Sequence, residues 1–396
     1  MKHPFRLAAV SAAILSIHSS FAIAAEELAT VVVTATRTPT RTNDVLSDVS
    51  VVDREQIERS GTTTLYELLS TLPGIQFTSN GGRGASGSMF MRGANNNQTL
   101  VLIDGQRIAS ATTGSTALEH LPLEQIERIE VVRGPASALY GSDGIGGVVQ
   151  IFTRTGEGAP KPNFGLGFGS YNTRTATVGY GGKIGDTSFN LQAGWDDSDS
   201  FSSIRQAKGG TYDMFNPDKD GYRNGNWSAK VGHRINSDLS VGAEVLQINT
   251  IKHFDSTNCD SSGTTCTANY DNRQRQELTS YAAHATYRIS PAWTSMLRLG
   301  QSQDKTTNYK FDPTTTPRES LQHYNTTQDQ VVWQNDFTLS PANKLMAAVE
   351  WRQVHVNSTQ TFVVNDQATR SIVLGYQGRL DAHSVQASVR NDSIER

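Results

Sequence analysis

The chain has 396 residues, a mean hydropathy of −0.43, and 35 basic against 38 acidic residues, for a net charge of −3. That length exceeds one ordinary domain, and balanced charge without a basic block excludes a nucleic-acid surface. The 34 glycines and the polar average exclude a multi-helix membrane protein and fit a β-rich chain with long polar loops.

Residues 1–24 read as a secretory signal peptide. Lys2 and Arg6 precede an apolar run over residues 7–17, and Ala22, Ile23 and Ala24 supply the small residues of a cleavage site. The run falls short of the ~20 apolar residues a spanning helix needs, and no later stretch reaches that length. Residues 25–44 form a leading segment. In it Thr30, Val31, Val32, Val33, Thr34 and Ala35 make a β-prone run before the breaker-rich TPTRTND. Such a run can add itself as a strand to a partner's sheet edge, or serve as an ordinary first strand.

Residues 45–155 alternate strand and helix. A strand is expected at 49–52, a helix at 54–59 with Asp53 as N-cap, and a second helix at 63–72. Leu65, Leu68, Leu69 and Leu72 share one face of that second helix, and Pro73-Gly74 ends it. The loop NGGRGASGS at 80–88 is too glycine-rich for a regular element, and no GK[ST] follows to make it a nucleotide site. At 126–154, IERIEVVRGPASALYGSDGIGGVVQIFTR gives strand, glycine-marked turns and strand. A compact α+β domain therefore ends near Thr155.

From 160 to 396 the pattern has period two. Phe189, Leu191, Ala193 and Trp195 alternate with polar or small residues, as do Tyr281, Ala283, Ala285 and Tyr287, and Val349 and Trp351. A soluble β-sandwich also alternates. Strands of about ten residues, short turns such as SPA and SPAN alternating with long polar loops, and Arg298, Glu350 and Arg352 on the wet faces point instead to a transmembrane barrel. About eleven such strands fit between residues 163 and 390. Cys259 and Cys266 flank the polar stretch SSGTT, where an exported chain forms one local disulfide or else carries two free thiols. The nine His residues are scattered, and no acid, base or nucleophile set supports an enzyme.

The loop holding NPDKDG presents Asn216, Asp218 and Asp220 at alternate positions, with Gly221 for the sharp turn, as a calcium loop needs. A solvated Asp- and Asn-rich turn reads the same way.

PGI (73–75), MRG (91–93), VLIDG (101–105), RGP (133–135) and YGSDGIGGVVQI (140–151) occur in an order that resembles the plug domain of TonB-dependent outer-membrane transporters. NGG, TLVLIDGQRI and YGSDGIGGVV are similar to the family's cobalamin-transporting members. The resemblance implies an α+β plug domain followed by part of a 22-stranded antiparallel transmembrane β-barrel in outer-membrane lipid. With half the strands in hand, the chain reads as a piece of a longer product or as a truncation. The resemblance further makes residues 30–35 a TonB box that pairs by strand addition with the periplasmic partner TonB. It places ligand contacts at Ser86, Ser88, Asn95, Thr113 and Gly114, of which Ser86, Thr113 and Gly114 depart from the family's residues. It adds Asn249 and Asp255 to the calcium set, while Lys219 between the two carboxylates, and Ser202-Ser203 where the family has an acid, depart from the pattern. The function implied is active uptake of cobalamin without a catalytic cofactor. Its rivals are the same machine with a siderophore or haem ligand, and, further off, a passive channel or β-rich adhesin.

Overall fold

The computed structural model describes residues 31–32, 35–204, 218–256, 258–259, 266–267, 271–312, 318–381 and 383–396. The signal-peptide reading falls on residues outside that set. A two-residue ladder opens the chain, β1 (Val31–Val32) against β2 (Thr40–Arg41).

The plug follows with β3 (Asp48–Val52), α1 (Arg54–Arg59), α2 (Leu65–Ser70), β4 (Ile75–Ser79), β5 (Gly87–Met91), β6 (Thr99–Ile103), β7 (Gln106–Arg107), β8 (Ile126–Arg133), α3 (Ser137–Tyr140) and β9 (Gly147–Thr153). Both longer helices begin at capping boxes. The Asp53 carboxylate accepts from Gln56 N–H at 2.8 Å while the Gln56 side chain accepts from Asp53 N–H at 3.1 Å, and Thr64 and Glu67 repeat the arrangement. The Thr64 box explains why α2 starts later than the leucine spacing predicts. It also ends before Leu72, which packs on the core from outside the helix.

The plug sheet runs β3-β8-β9-β6-β7, with β6 and β9 parallel and the other pairs antiparallel. β4 and β5 form a separate hairpin whose loop, residues 80–86, lies against Ser200, Ser203 and Tyr222. Leu65, Leu69, Met89, Ile129, Val131 and Val149 are among the fully buried side chains of the core, where each contributes on the order of 2 kcal/mol.

One antiparallel sheet of eleven strands makes up the rest: β10 (Lys161–Gly169), β11 (Thr173–Ile184), β12 (Thr187–Ser198), β13 (Tyr222–Arg234), β14 (Leu239–Phe254), β17 (Asn272–Ser290), β18 (Trp293–Asp312), β19 (Arg318–Ser340), β20 (Asn343–Ser358), β21 (Asp366–Leu380) and β22 (His383–Glu395), in sequence order. Between β14 and β17, β15 (Asn258–Cys259) pairs with β16 (Cys266–Thr267), with Cys259 directly opposite Cys266. The large sheet is open. β10 and β22 each pair on one side only among the described residues.

Its two faces differ as the alternation predicts. Phe164 (86% exposed), Leu166, Leu191, Tyr281, Trp333 and Val349 point outward, whereas Asn226, Glu244, Gln276, Asp304 and Gln328 are buried against the plug. The contacts across this seam are mostly hydrogen-bonded. Lys230 Nζ reaches Asp104 Oδ1 at 2.7 Å, Gln125 Nε2 donates to Asn226 at 2.6 Å, Asn224 Nδ2 donates to the His120 carbonyl at 2.9 Å, and Ser302 Oγ donates to the Arg107 carbonyl at 2.7 Å. An apolar patch adds to them where Leu100, Leu139 and Val148 meet Met346, Ala348 and Val373.

Gly147 opens β9 with φ +149°, and a Cβ there would come within 2.3 Å of the Val132 carbonyl oxygen and 2.4 Å of Met91 Sδ. The carbonyl oxygen cannot yield without disturbing the β8–β9 ladder. Gly147→Ala is therefore expected to destabilise the plug by on the order of 2 kcal/mol. Limited proteolysis of the inserted protein checks it. The variant plug is cut faster, while emission from the tryptophans, all of which lie in β12, β13, β18, β19 and β20, stays unchanged. Equal protease resistance would contradict this.

Candidate functional site

Two plug loops meet the upper ends of the barrel strands. The β4–β5 hairpin carries Ser86, whose Oγ accepts from Lys252 Nζ of β14 at 2.7 Å. The second loop, 110–117, is closed by Gly114 N–H donating to the Ser110 carbonyl at 2.8 Å, and by Ser110 N–H donating to the Ser115 carbonyl at 3.0 Å. Gly114 takes φ +68°, and an added Cβ would sit 3.1 Å from the Asn97 Cβ, so the turn at 96–98 packs against this loop. Ala111 N–H donates to Thr326 Oγ1 at 3.0 Å, tying the loop to β19.

Between these loops and β17–β19 lies a cavity of about 380 Å³. Ser86, Thr113 and Thr116 line it from the plug, with Glu119; Gln276, Asp304 and Asn308 line it from the barrel. A neighbouring cavity of about 370 Å³ shares Ser86, Gln274 and Asn308 and is bordered by Arg83, Lys252 and Lys310. Arg83 is already paired with Asp196 at 2.5 Å.

Of the five ligand contacts expected from sequence, the structure brings Ser86 and Thr113 to the first cavity and holds Gly114 in its loop. Ser88 lies on β5 opposite Thr78, and Asn95 precedes the 96–98 turn; neither lines that cavity. Glu119, Asp304 and Thr116 escaped the sequence reading. Asp304 carried a faint signal, since it follows Ser302 on the wet face of its strand.

Burial pushes the Glu119 carboxyl up to about 7, against the lowering influence of nearby Lys252 and of the Tyr66 hydroxyl, which donates to it at 3.2 Å. Next to it, burial and Lys252 hold the His120 imidazole down to about 3, so it stays neutral beside the Tyr222 hydroxyl.

At the opposite end the N-terminal segment is held in the barrel mouth. Arg37 Nη1 pairs with Glu350 at 2.5 Å, and Glu350 also takes Arg390 at 2.7 Å. Gln334 Nε2 donates to the Arg37 carbonyl, Lys344 Nζ to that of Pro39 and Gln386 Nε2 to that of Ala35, at 2.9, 2.8 and 3.2 Å. Within the expected TonB box, Val31 pairs with Arg41 and Val32 with Thr40, and Ala35 is buried. Thr30, Val33 and Thr34 lie outside the described residues.

A family model described as TonB-dependent Receptor Plug Domain matches residues 41–148. A protein called Vitamin B12 transporter BtuB from Vibrio cholerae is 31% identical over 328 residues, covering 82% of this chain and 50% of the relative. One of the same name from Photobacterium profundum is 31% identical over 365 residues, 91% of this chain and 56% of the relative. The chain belongs to the TonB-dependent receptor family. It spans about half the length of the curated relatives it matches. Among solved structures, a mutant ferric enterobactin receptor from Pseudomonas aeruginosa superposes with a TM-score of 0.72 at 18% identity, covering 92% of this chain and 59% of that one. At that identity the likeness concerns the fold, a plug followed by barrel strands.

Among the described residues, no three His, Cys, Asp or Glu side chains form a metal-holding group, and Asn216 lies outside that set. Asp218 nevertheless has a buried Oδ1 without a hydrogen-bond partner. Burial, then Asp271 and Asp220, push its carboxyl up, so three acids approach one another here. Asp220 is engaged by Ser203 N–H at 2.7 Å and Lys219 by Asp199 at 3.0 Å. Asp255 borders the 370 Å³ cavity with Asp220, whereas Asn249 sits within β14 opposite Gly225 and Glu277. Asp271, absent from the sequence reading, lines one cavity with Asp218.

Because the folded Glu119 holds its proton to about pH 7 against an ordinary 4.5, it favours the fold at low pH, and that contribution is lost as pH rises through this window. Glu119→Gln should flatten the pH dependence of plug unfolding between about pH 5 and 8, by on the order of 2 kcal/mol. Urea titrations of both proteins at the two pH values measure it, and parallel curves would refute it. Glu350→Gln should free the N-terminal segment, read as faster motion of a spin label at residue 31 with plug proteolysis unchanged.

Proposed function

We propose that the chain acts in TonB-dependent uptake of cobalamin across the outer membrane of a Gram-negative bacterium, with ligand held at the plug apex and the extracellular loops. The observation that carries this is the 380 Å³ apex cavity, lined by hydroxyls, amides and carboxylates, with no lysine or arginine among the described residues of its walls. Such a lining suits a ligand fringed with neutral amides, and the relatives called Vitamin B12 transporter support that choice. The energy comes from TonB, which adds a strand to residues 30–35 and draws the segment from the barrel mouth. The β1–β2 ladder shows that Val31 and Val32 adopt a strand-competent backbone.

A ferric siderophore is the second reading, favoured by Lys252 and Lys310 at the adjoining cavity, since trianionic ligands bind where cations converge. Calcium is proposed as a loop-ordering ion at Asp218, Asp220 and Asp271, with Asn216 and Asp255 as further oxygen donors. Cys259 and Cys266 are proposed as a disulfide of the same loop region.

Uptake of labelled cyanocobalamin by receptor-deficient cells expressing this gene tests the main reading. Val32→Pro removes a strand-pairing N–H and should cut uptake at least ~10-fold while surface binding persists. Uptake indifferent to the proline sinks the coupling, and displacement of cyanocobalamin by ferric enterobactin at equal concentration favours the siderophore. Asp218→Asn is expected to weaken calcium binding at least ~10-fold in equilibrium dialysis. Unaltered binding excludes Asp218 as a ligand.

A further inference from the structure

The 380 Å³ cavity has an acidic floor that the family resemblance does not supply. Glu119 approaches it from the plug and Asp304 from β18, two carboxylates brought together only by the docking of plug in barrel. Asp304 accepts from Gln276 Nε2 at 3.0 Å and from Thr306 Oγ1 at 3.3 Å, and both bonds arrive at Oδ1. Thr116, 5% exposed, lines the same space with a buried hydroxyl that has no partner among the described residues. The cation beside it, Lys252, is engaged through Nζ by Ser86 Oγ on the cavity wall. Among the described residues, a buried hydroxyl without a partner and a carboxylate bonded through one oxygen leave hydrogen-bonding capacity for a ligand group.

We propose that this cavity is a subsite for uncharged amide N–H groups of the ligand, and that Glu119 and Asp304 are its specificity-determining residues, accepting amide donors and excluding carboxylates. An amide donates to an acid oxygen and its carbonyl accepts from the Thr116 hydroxyl, so one group completes both partners. A carboxylate of the same size donates nothing and meets like charge in a space shielded from water. The proposal rests on the cobalamin reading.

The test compares equilibrium binding of cyanocobalamin with that of its monocarboxylic acids, in which one propionamide is hydrolysed to a carboxylate. Outer-membrane vesicles carry the wild-type gene, the Asp304→Asn variant or the Glu119→Gln/Asp304→Asn double variant. Wild type should prefer the amide form at least ~100-fold, and the double variant should narrow that to under ~10-fold, chiefly by admitting the acids. Asp304→Asn should fall between them, with vesicle abundance and plug protease resistance matching wild type. Equal binding of both probes by wild type, or discrimination unchanged in both variants, overturns the subsite and leaves the cobalamin reading standing. Failure to bind cyanocobalamin, with ferric enterobactin bound equally by wild type and double variant, overturns both. Binding none of the probes overturns both as well.

Discussion

The polar inner face of the large sheet is the constraint on which the rest of the structure depends. A strand whose outer side meets hydrocarbon must turn its wet side chains inward, where burial without a partner is costly. The plug supplies those partners: Asp104 for Lys230, Gln125 for Asn226 and Ser228, the Arg107 carbonyl for Ser302 and the Ala109 carbonyl for Gln328. Plug and barrel are thus complementary through hydrogen bonds more than through a shared apolar core. Such a seam holds the plug in place yet parts in small steps, each broken contact being exchangeable for water.

The N-terminal segment is held in the same manner. Its carbonyls at Ala35, Arg37 and Pro39 are taken by side chains from three strands, β19, β20 and β22, and Arg37 shares Glu350 with Arg390. Glu350 is the hub, since one carboxylate balances two buried guanidiniums, and the pairing holds only while all three stay desolvated together. Among the described residues, the backbone of Val31 and Val32 is paired in the two-residue ladder of β1 and β2. A competing strand therefore displaces little to begin pairing, and meets the stronger Arg37 lock only afterwards.

At the other end the apex divides by charge. Lys252 and Lys310 border one cavity, Glu119 and Asp304 the next, and Ser86, Gln274 and Asn308 form the shared wall. Burial outweighs Lys252 and pushes the Glu119 carboxyl up to about 7. The arrangement discriminates by sign and by hydrogen-bond direction rather than by shape alone.

The sequence by itself determined what neighbours along the chain control. Asp53 and Thr64 cap their helices through residues three positions away, Gly147 meets a backbone requirement of β9, and strict alternation assigns Leu191 and Tyr281 to the apolar outer face and Arg298 and Glu350 to the polar inner one. The motif order also carried the family, and the period-two alternation carried the strand count. Tertiary structure decided everything that depends on which strand faces which plug loop. Nothing local links Glu119 to Asp304, or Arg37 to Glu350 and Arg390, or Asp218 to Asp271. Period-two patterning fixes the side to which a residue points, but its partner is set by strand register and by how the plug is seated in the sheet, both collective properties of the fold.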